Sequence, residues 1–523
     1  MVPAPGRRRA PGQSVSAAVV AAVAAVVLAV GGVTAYVIVR HHPSTLAAAP
    51  AHSPSAAASK PTSTASASAS HSAASSPTPT PTPTLTPTTN AKITATGWDD
   101  TTVHPVTTPV AIGNVVAVYT ADGGQLTMRA IDPASGATLW SHPASTAQST
   151  PGATFAIAYL GNVVFFYVTA ADPTLHLAEI AAVDAVTGKQ QWVTDQPISY
   201  ADMPALCSDK AALCDSAYAA NDQSQEIRTN LATGAQSLLS SSAGRSLGTG
   251  LWDAGVRTPE YIEHLDDVTG RLVWKDAVDP LFGTPVSSDD GWNWDTYGDV
   301  YVGWLGGTRS ATSHTITLNG DETVGIRASD GVRLWRHPGL YGCPIQGLTD
   351  AAGQPFAVRC IATGSVTFDA AGGSPTSSRV DVTVQGFDVH TGATLWSDHL
   401  GNAPGALGIG SDKFVRLTGE VFAVTNAAGH TTTINLKTGA TSTPAAGATG
   451  WCVQDDGTFT IDGVAQADGS PVDYSASGLV APCTPTGASA PAADGSSTGD
   501  GATAGGYFVW ASKDGLHAFA IGD

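Results

Sequence analysis

The sequence predicts an all-β protein of repeated four-stranded blades, the architecture of a β-propeller, preceded by one transmembrane helix and a disordered linker. Three observations predict it. A ten-residue strand–turn–strand pattern recurs from residue 131 onward. Glycine and proline are abundant, at 57 and 33 of 523 residues, while charged residues make up only 13%, a balance of many turns and few solvated helices. The composition also changes abruptly near residue 93: residues 1–92 hold six basic residues and no acidic one, whereas the remaining 18 basic and 43 acidic residues give 93–523 a net charge of −25.

In chain order, residues 1–14 form a short basic tail with Arg7, Arg8 and Arg9, and Val15 to Val39 is an apolar run interrupted only by Ser16, Thr34 and Tyr36. At ~1.5 Å per residue a helix over 15–39 reaches ~37 Å, enough to cross a hydrocarbon core of about 30 Å with some tilt. A cleaved signal peptide ending near Ala47-Ala48-Ala49 is the alternative. Signal cores usually run only about 7–15 residues, which favours an uncleaved anchor. Three arginines precede the run and only Arg40 follows it closely, so the positive-inside bias places the N-terminus in the cytoplasm and the remainder outside. Residues 40–92 are Ala, Ser, Thr and Pro in low-complexity order, ending in alternating Thr-Pro. Such a stretch buries too little apolar surface to offset its ordering entropy and is expected to be a disordered stalk.

From 93 to 523 the repeat takes over. The pattern set by Ile131-Asp132-Pro133-Ala134-Ser135-Gly136-Ala137-Thr138-Leu139-Trp140 is an apolar residue, Asp, two variable positions, a small hydroxyl, Gly, then Trp four positions on. It returns with Asp184, Gly188 and Trp192, with Asp266, Gly270 and Trp274, with Ile326, Gly331 and Trp335, and with Asp388, Gly392 and Trp396. Two degenerate copies, around Gly234 and Gly439, have Asn for Asp and lack the tryptophan. Each position has a physical task. The flanking runs read as strands, Gly supplies a positive φ cheaply in a tight turn, and Asp or Asn accepts hydrogen bonds from the turn's amides. Trp offers a large flat surface to pack between neighbouring blades. Six cysteines, all beyond the linker, suggest loop staples in an oxidising compartment. Near-neighbour pairing Cys207/Cys214, Cys343/Cys360 and Cys452/Cys483 is the simplest of fifteen arrangements.

These motifs resemble the PQQ-like repeats of quinoprotein dehydrogenases and of propellers that act as assembly scaffolds on bacterial envelopes, and the chain is identified as a membrane-anchored bacterial member. The resemblance spans roughly 98–523. It implies a closed propeller, most often of eight blades. The C-terminal stretch from Tyr507 to Ile521 reads as two strands of a repeat, and strands near Trp98–Val106 are expected to complete that blade across the chain's ends. Asp468-Gly469-Ser470-Pro471 reads as a further degenerate turn, which leaves seven blades as the alternative to eight.

The same resemblance raises a quinone-dependent enzyme. Its implied vicinal disulfide has no counterpart, since no two cysteines are adjacent, and no Asp/Asn cluster has calcium-loop spacing. No H-E-x-x-H or P-loop occurs. No cofactor, metal ligand or catalytic residue is therefore expected. One stretch departs from the repeat: Trp292, Trp294 and Tyr297, followed by Trp304, alternate with acids and amides, a composition suited to stacking on a sugar or holding a peptide, with filling of a blade interface as the plainer role. The acidic balance argues against nucleic acid as a partner. The expected function is a non-catalytic, single-pass, membrane-tethered extracellular binding or scaffolding module. Its propeller is expected to be monomeric, with envelope proteins or cell-wall glycan as partners. A PQQ-dependent or glycan-active envelope enzyme is the alternative.

Overall fold

The computed structural model describes residues 92–93, 97–146, 155–169, 177–194, 196–198, 204–207, 210–218, 224–239, 251–253, 261–266, 271–282, 292–305, 308–309, 315–341, 356–367, 376–407, 414–418, 421–454, 458–465, 471–491 and 501–521. The predicted tail, the helix over 15–39 and all but the end of the linker lie outside these residues. Among the described residues no helix is long and apolar enough to cross a membrane.

The described chain is almost wholly antiparallel β-sheet. Sheet 1 comprises Val110–Ile112, Val115–Asp122, Gln125–Ile131 and Thr138–Pro143, hydrogen-bonded in that order. Sheet 2 repeats the plan with Ala158–Leu160, Val163–Thr169, Ala178–Asp184 and Gln190–Val193, and sheet 3 with Ala205–Leu206, Ala212–Tyr218, Ser224–Asn230 and Gln236–Leu239. Sheet 4 has three described strands, Leu251–Asp253, Tyr261–Leu265 and Leu272–Ala277. Sheet 5 pairs Trp292–Tyr297, Val300–Leu305, Glu322–Arg327 and Arg333–Pro338. Sheet 6 uses Leu340–Tyr341, Phe356–Thr367, Thr376–Asp388 and Thr394–Gly401; a small hairpin inserted in sheet 5, Thr308–Arg309 with Thr315–Thr317, pairs onto its long second strand. Sheet 7 runs through Phe414–Thr418, Val421–Thr425, Thr431–Asn435 and Thr441–Ser442. The sequence pattern accounts for this order: each Asp-to-Gly turn joins the third strand of a sheet to its fourth.

The last sheet joins the two ends of the repeat region. Gly501–Ala504, Tyr507–Ser512 and Gly515–Ala520 are followed by Gly97–Asp100, with Lys92–Ile93 adding a short fifth strand. The expectation of two strands from each end is thus corrected to three from the C-terminal end and one main strand from the N-terminal end. The missed strand, Gly501–Ala504, is made of small residues with no apolar alternation. It turns back through Gly505-Gly506, both at positive φ, +56° and +79°. The expected extra turn at Asp468-Gly469-Ser470 lies outside the described residues; the flanking strands Thr458–Ala465 and Pro471–Ser475 pair with each other in a two-stranded sheet. Phe459 and Tyr474 of this hairpin pack on Phe155, whose ring lies 5.7 Å from that of Tyr119 in sheet 1.

The core lies between the sheets. Ile262, Trp274, Tyr301, Val324 and Ile326 form the cluster between sheets 4 and 5; Tyr297, Val302, Trp335, Phe387 and Val389 form the one between sheets 5 and 6. A face that one sheet alone leaves in water is covered by its neighbour, so burial is shared along the chain. The disulfides Cys207–Cys214 and Cys452–Cys483 are formed. Cys360 is also disulfide-bonded, and Cys343, its expected partner, lies outside the described residues.

Candidate functional site

The repeat residues form one recurrent joint. In sheet 1, Asp132 Oδ1 accepts the Ala134 amide at 3.0 Å and Oδ2 the Ser135 hydroxyl at 2.7 Å, while the Gly136 amide donates to the Asp132 carbonyl at 2.9 Å. Asp184 and Asp388 do the same with Thr187 and Thr391, and Asn230 and Asn435 serve in the degenerate copies. Where Arg327 replaces the aspartate, Asp330 supplies the acceptor for the Val332 amide, at 3.1 Å. For Asp184 and Asp388, burial acts to raise the pKa. The threonine hydroxyl and turn amides outweigh it and hold both carboxyls below the usual carboxylate value. Of the other turn positions, Asp266 is described, and its amide donates to the Arg271 carbonyl. Gly270 lies outside the described residues.

The tryptophan reaches across to the next sheet. Trp140 Nε1 donates to the Ala185 carbonyl at 2.8 Å, Trp192 to Leu231 at 2.9 Å, Trp274 to Ala328 at 2.8 Å and Trp335 to Val389 at 2.8 Å. Each acceptor is the residue directly after the Asp position of the following turn. Trp98 of the joining sheet continues the series into sheet 1, donating to Pro133 at 2.8 Å, a member that the Asp-to-Trp spacing concealed because no turn precedes it in the chain. The glycine has a second duty besides its φ: a Cβ on Gly188 (φ +68°) would lie 2.6 Å from Trp140 Cγ, and one on Gly392 would lie 2.6 Å from Trp335 Cδ2. Gly234, Gly331 and Gly439 face Trp192, Trp274 and Trp396 likewise. The ring of one sheet therefore rests on the turn of the next. Trp396 packs on Gly439 but its indole N–H has no hydrogen-bond partner among the described residues.

A β-bulge sits directly before the tryptophan in all five sheets whose repeat carries one. Ala130 pairs with Trp140 while Ile131 pairs with Thr138, so Leu139 is the extra residue. The equivalent extra residues are Gln191, Val273, Leu334 and Leu395. The outer strands of sheets 3 and 7, which lack the tryptophan, pair without a shift. A bulge turns the following side chain and tightens the local twist, and here it aims the ring at the next sheet.

The aromatic candidates occupy a strand pair rather than an exposed loop. Trp292 pairs with Leu305, Asn293 with Trp304, Trp294 with Gly303 and Tyr297 with Val300. Tyr297 is 3% exposed and belongs to the cluster between sheets 5 and 6. That corrects its expected role as a contact residue: the strand presses its ring into Trp335 and Phe387's cluster instead of leaving it to a ligand. The side chains of Trp292, Trp294 and Trp304 lie outside the described set.

Three groups far apart in sequence meet in the joining sheet. His517 Nδ1 is 2.7 Å from Asp99 Oδ1, and His517 Nε2 is 2.8 Å from Ser512 Oγ. These distances are those of a serine nucleophile with its base and orienting acid. Access and donors are wrong for that chemistry, however. Ser512 is 4% exposed, its hydroxyl oxygen accepts the Asp514 amide at 3.0 Å, and Trp510 stacks on His517 at 5.1 Å. The chain Ser512–His517–Asp99 acts as a clasp between three strands. A cleft of 330 Å³ runs along the seam of sheets 1 and 2, lined by His142, Phe166, Thr169, Glu179, Gln190 and Val193 among others; His142 Nε2 already bonds the Gly188 carbonyl at 3.0 Å. Among the described residues no group of His, Cys, Asp and Glu is arranged to hold a metal ion.

Comparison with known proteins places this repeat. The family described as outer membrane protein assembly factor BamB matches residues 88–258 and again 258–450, well over half of the chain. No curated protein matches the chain. Among solved structures, BamB from Moraxella catarrhalis is similar at 12% identity over 80% of this chain and 94% of that one, with a TM-score of 0.34. A quinohemoprotein alcohol dehydrogenase from Comamonas testosteroni is similar at 13% identity over 71% of each chain, with a TM-score of 0.35. A europium-containing methanol dehydrogenase is similar at 14% identity over 67% of this chain and 80% of that one, with a TM-score of 0.33. At such values the structural likenesses carry nothing on activity, and it is the double match of the repeat itself by which the chain belongs to the BamB family of PQQ-like repeat proteins.

Proposed function

We propose that this chain is a non-catalytic binding or scaffolding propeller of eight closed blades, held outside the bacterial cell membrane by its N-terminal helix and linker. The observation that carries the reading is the use made of its distinctive residues: the Asp, Gly and Trp of the repeat hold turns and seams together. The groups nearest to a catalytic constellation, Ser512, His517 and Asp99, form a clasp between strands in which the serine hydroxyl is itself buried. The family's name refers to protein assembly at a bacterial envelope, which supports envelope proteins as the partner class. A surface of net charge −25 over 93–523 favours partners with basic or neutral hydrogen-bonding faces.

Cross-linking the full-length protein in intact cells, followed by affinity purification, is expected to recover specific envelope proteins, and external protease is expected to remove the blades while sparing the N-terminal tail. Saturable binding of PQQ with calcium, accompanied by dye-linked alcohol oxidation, would overturn the non-catalytic reading in favour of a quinoprotein enzyme.

A further inference from the structure

At three seams the position two residues after the tryptophan also faces the next sheet: His142 follows Trp140, Asp276 follows Trp274 and His337 follows Trp335. His142 bonds the Gly188 carbonyl. A Cβ on Gly331 would lie 2.5 Å from Asp276 Oδ2, and one on Gly392 would lie 2.6 Å from His337 Cδ2. What differs is the residue behind the turn. Val163 is the cross-strand partner of Asp184, and Phe356 that of Asp388. Three residues further along these strands, the equivalent positions are Phe166 in sheet 2 and Arg359 in sheet 6. In the first seam His142 meets the Phe166 ring, 6.1 Å away. In the other, His337 and the Arg359 guanidinium both lie against the Gly392 turn.

Arg359 is 2% exposed. Its Nε donates to Gln385 Oε1 at 3.1 Å, and its Nη2 to Thr394 Oγ1 at 3.1 Å and to the Gly392 carbonyl at 3.4 Å. Its Cζ lies 4.8 Å from the centre of the Phe387 ring. These acceptors are all neutral, and Nη1 has no hydrogen-bond partner among the described residues. Burial pulls its pKa down to about 10, which still leaves it a cation at neutral and acid pH. Two carboxylates lie at the start of the facing strand of its own sheet, and the first, Asp321, is 5% exposed. The second, Glu322, pairs with Arg336 at 3.1 Å. On the turn of sheet 6, Asp388 caps its own loop and His390 reaches Asp299 of sheet 5 at 3.2 Å.

We propose that the seam between sheets 5 and 6 is an acid-sensitive joint, in which protonating His337 sets a second cation against the buried Arg359 and parts the Trp335 edge from the Gly392 turn. Burial first, and Arg359 second, hold the His337 pKa below its usual 6.5, with Glu322 opposing. The folded seam therefore prefers neutral imidazole. It is at full strength above pH 6.5 and weakens as the pH falls through that value toward the lower folded pKa, below which the loss is complete. At the seam of sheets 1 and 2, His142 faces an aromatic ring and a carbonyl in place of a guanidinium, so that seam is expected to keep its protection in acid.

Hydrogen exchange of the full-length protein at pH 7.5 and 5.0, corrected for the pH dependence of chemical exchange, tests this. Amides of Arg333–Pro338 and Phe356–Thr367 are expected to lose protection several-fold at pH 5.0, while Thr138–Pro143 and Val163–Thr169 keep theirs. His337→Gln, which leaves a neutral polar side chain at the joint, is expected to abolish the acid response. Unchanged protection of sheets 5 and 6 at pH 5.0, equal loss at both seams, or an undiminished response in His337→Gln overturns the proposal.

Discussion

Sheets 1, 2, 4, 5 and 6 carry a tryptophan at the end of the repeat, and sheets 3 and 7 do not: Leu238 and Thr443 stand there instead. The difference goes beyond one side chain. Every sheet with the tryptophan has a bulge just before it, and neither sheet without it does. Within the repeat the bulge and the ring thus go together, while Trp98 makes the same contact from a strand without a shift. Without the extra residue, strand alternation alone would decide which way the ring points. The bulges have a second effect, because they sit on outer strands, whose free edges would otherwise invite pairing by other chains. The outer strand Gly97–Asp100 has no bulge, and it is the edge onto which Lys92–Ile93 pairs.

The comparison breaks most visibly if the ring is removed. Trp140→Ala, at a side chain 2% exposed, is expected to cost about 3–5 kcal/mol in urea unfolding; a loss near zero would mean that the joint does not hold the seam. Gly188→Ala combines a positive φ with a methyl aimed at Trp140 and is expected to cost about 1–3 kcal/mol or more. Gly161→Ala sharpens that number, since its φ of +58° is similar but nothing lies within 4 Å of the new Cβ. The excess of the first over the second measures the contact with the ring. Trp335→Phe removes the hydrogen bond to Val389, whereas Trp396→Phe removes none from a described residue. The first is expected to cost about 1 kcal/mol more than the second, and equal losses would assign the whole effect to ring size. The smallest effect is at the turns. Asp184 and Asp388 have pKa values below the ordinary 3.8, so their contribution is complete above that pH and fades as the pH falls through the lower folded values. Acid titration of Asp388→Asn, monitored by circular dichroism, is expected to show a shallower loss of stability below pH 3.8 than the parent chain.

Much of the fold was legible because one short pattern carries several requirements at once. Asp132, Gly136 and Trp140 lie within nine residues, so turn chemistry and seam packing leave a local mark that repetition amplifies. Features made by distant chain segments left no such mark. Asp99 meets His517 across 418 positions. Trp98 joins the series of seams with no turn ahead of it, and Gly501–Ala504 is too small and uniform to announce a strand. The hairpin around Phe459 and Tyr474 was read as turn chemistry, although its place is set by Phe155 and Tyr119. Tyr297 looked like a contact residue because its neighbours are polar in sequence, while its burial comes from a different sheet. Arg359 was equally silent, since nothing local tells a buried arginine from a solvated one.

The sheet that joins Gly97–Asp100 to Gly515–Ala520 imposes an order on biosynthesis. The first strand of the repeat region leaves the ribosome hundreds of residues before the strand it pairs with. Throughout synthesis Trp98 has its acceptor, Pro133, close at hand but no sheet to belong to. Sheets 1 to 7 are free to form one after another as they emerge, whereas the last cannot form until Phe519 has been made and released. A chain cut short by even a couple of dozen residues would keep nearly all of its sheets and still leave the edge of the last one open.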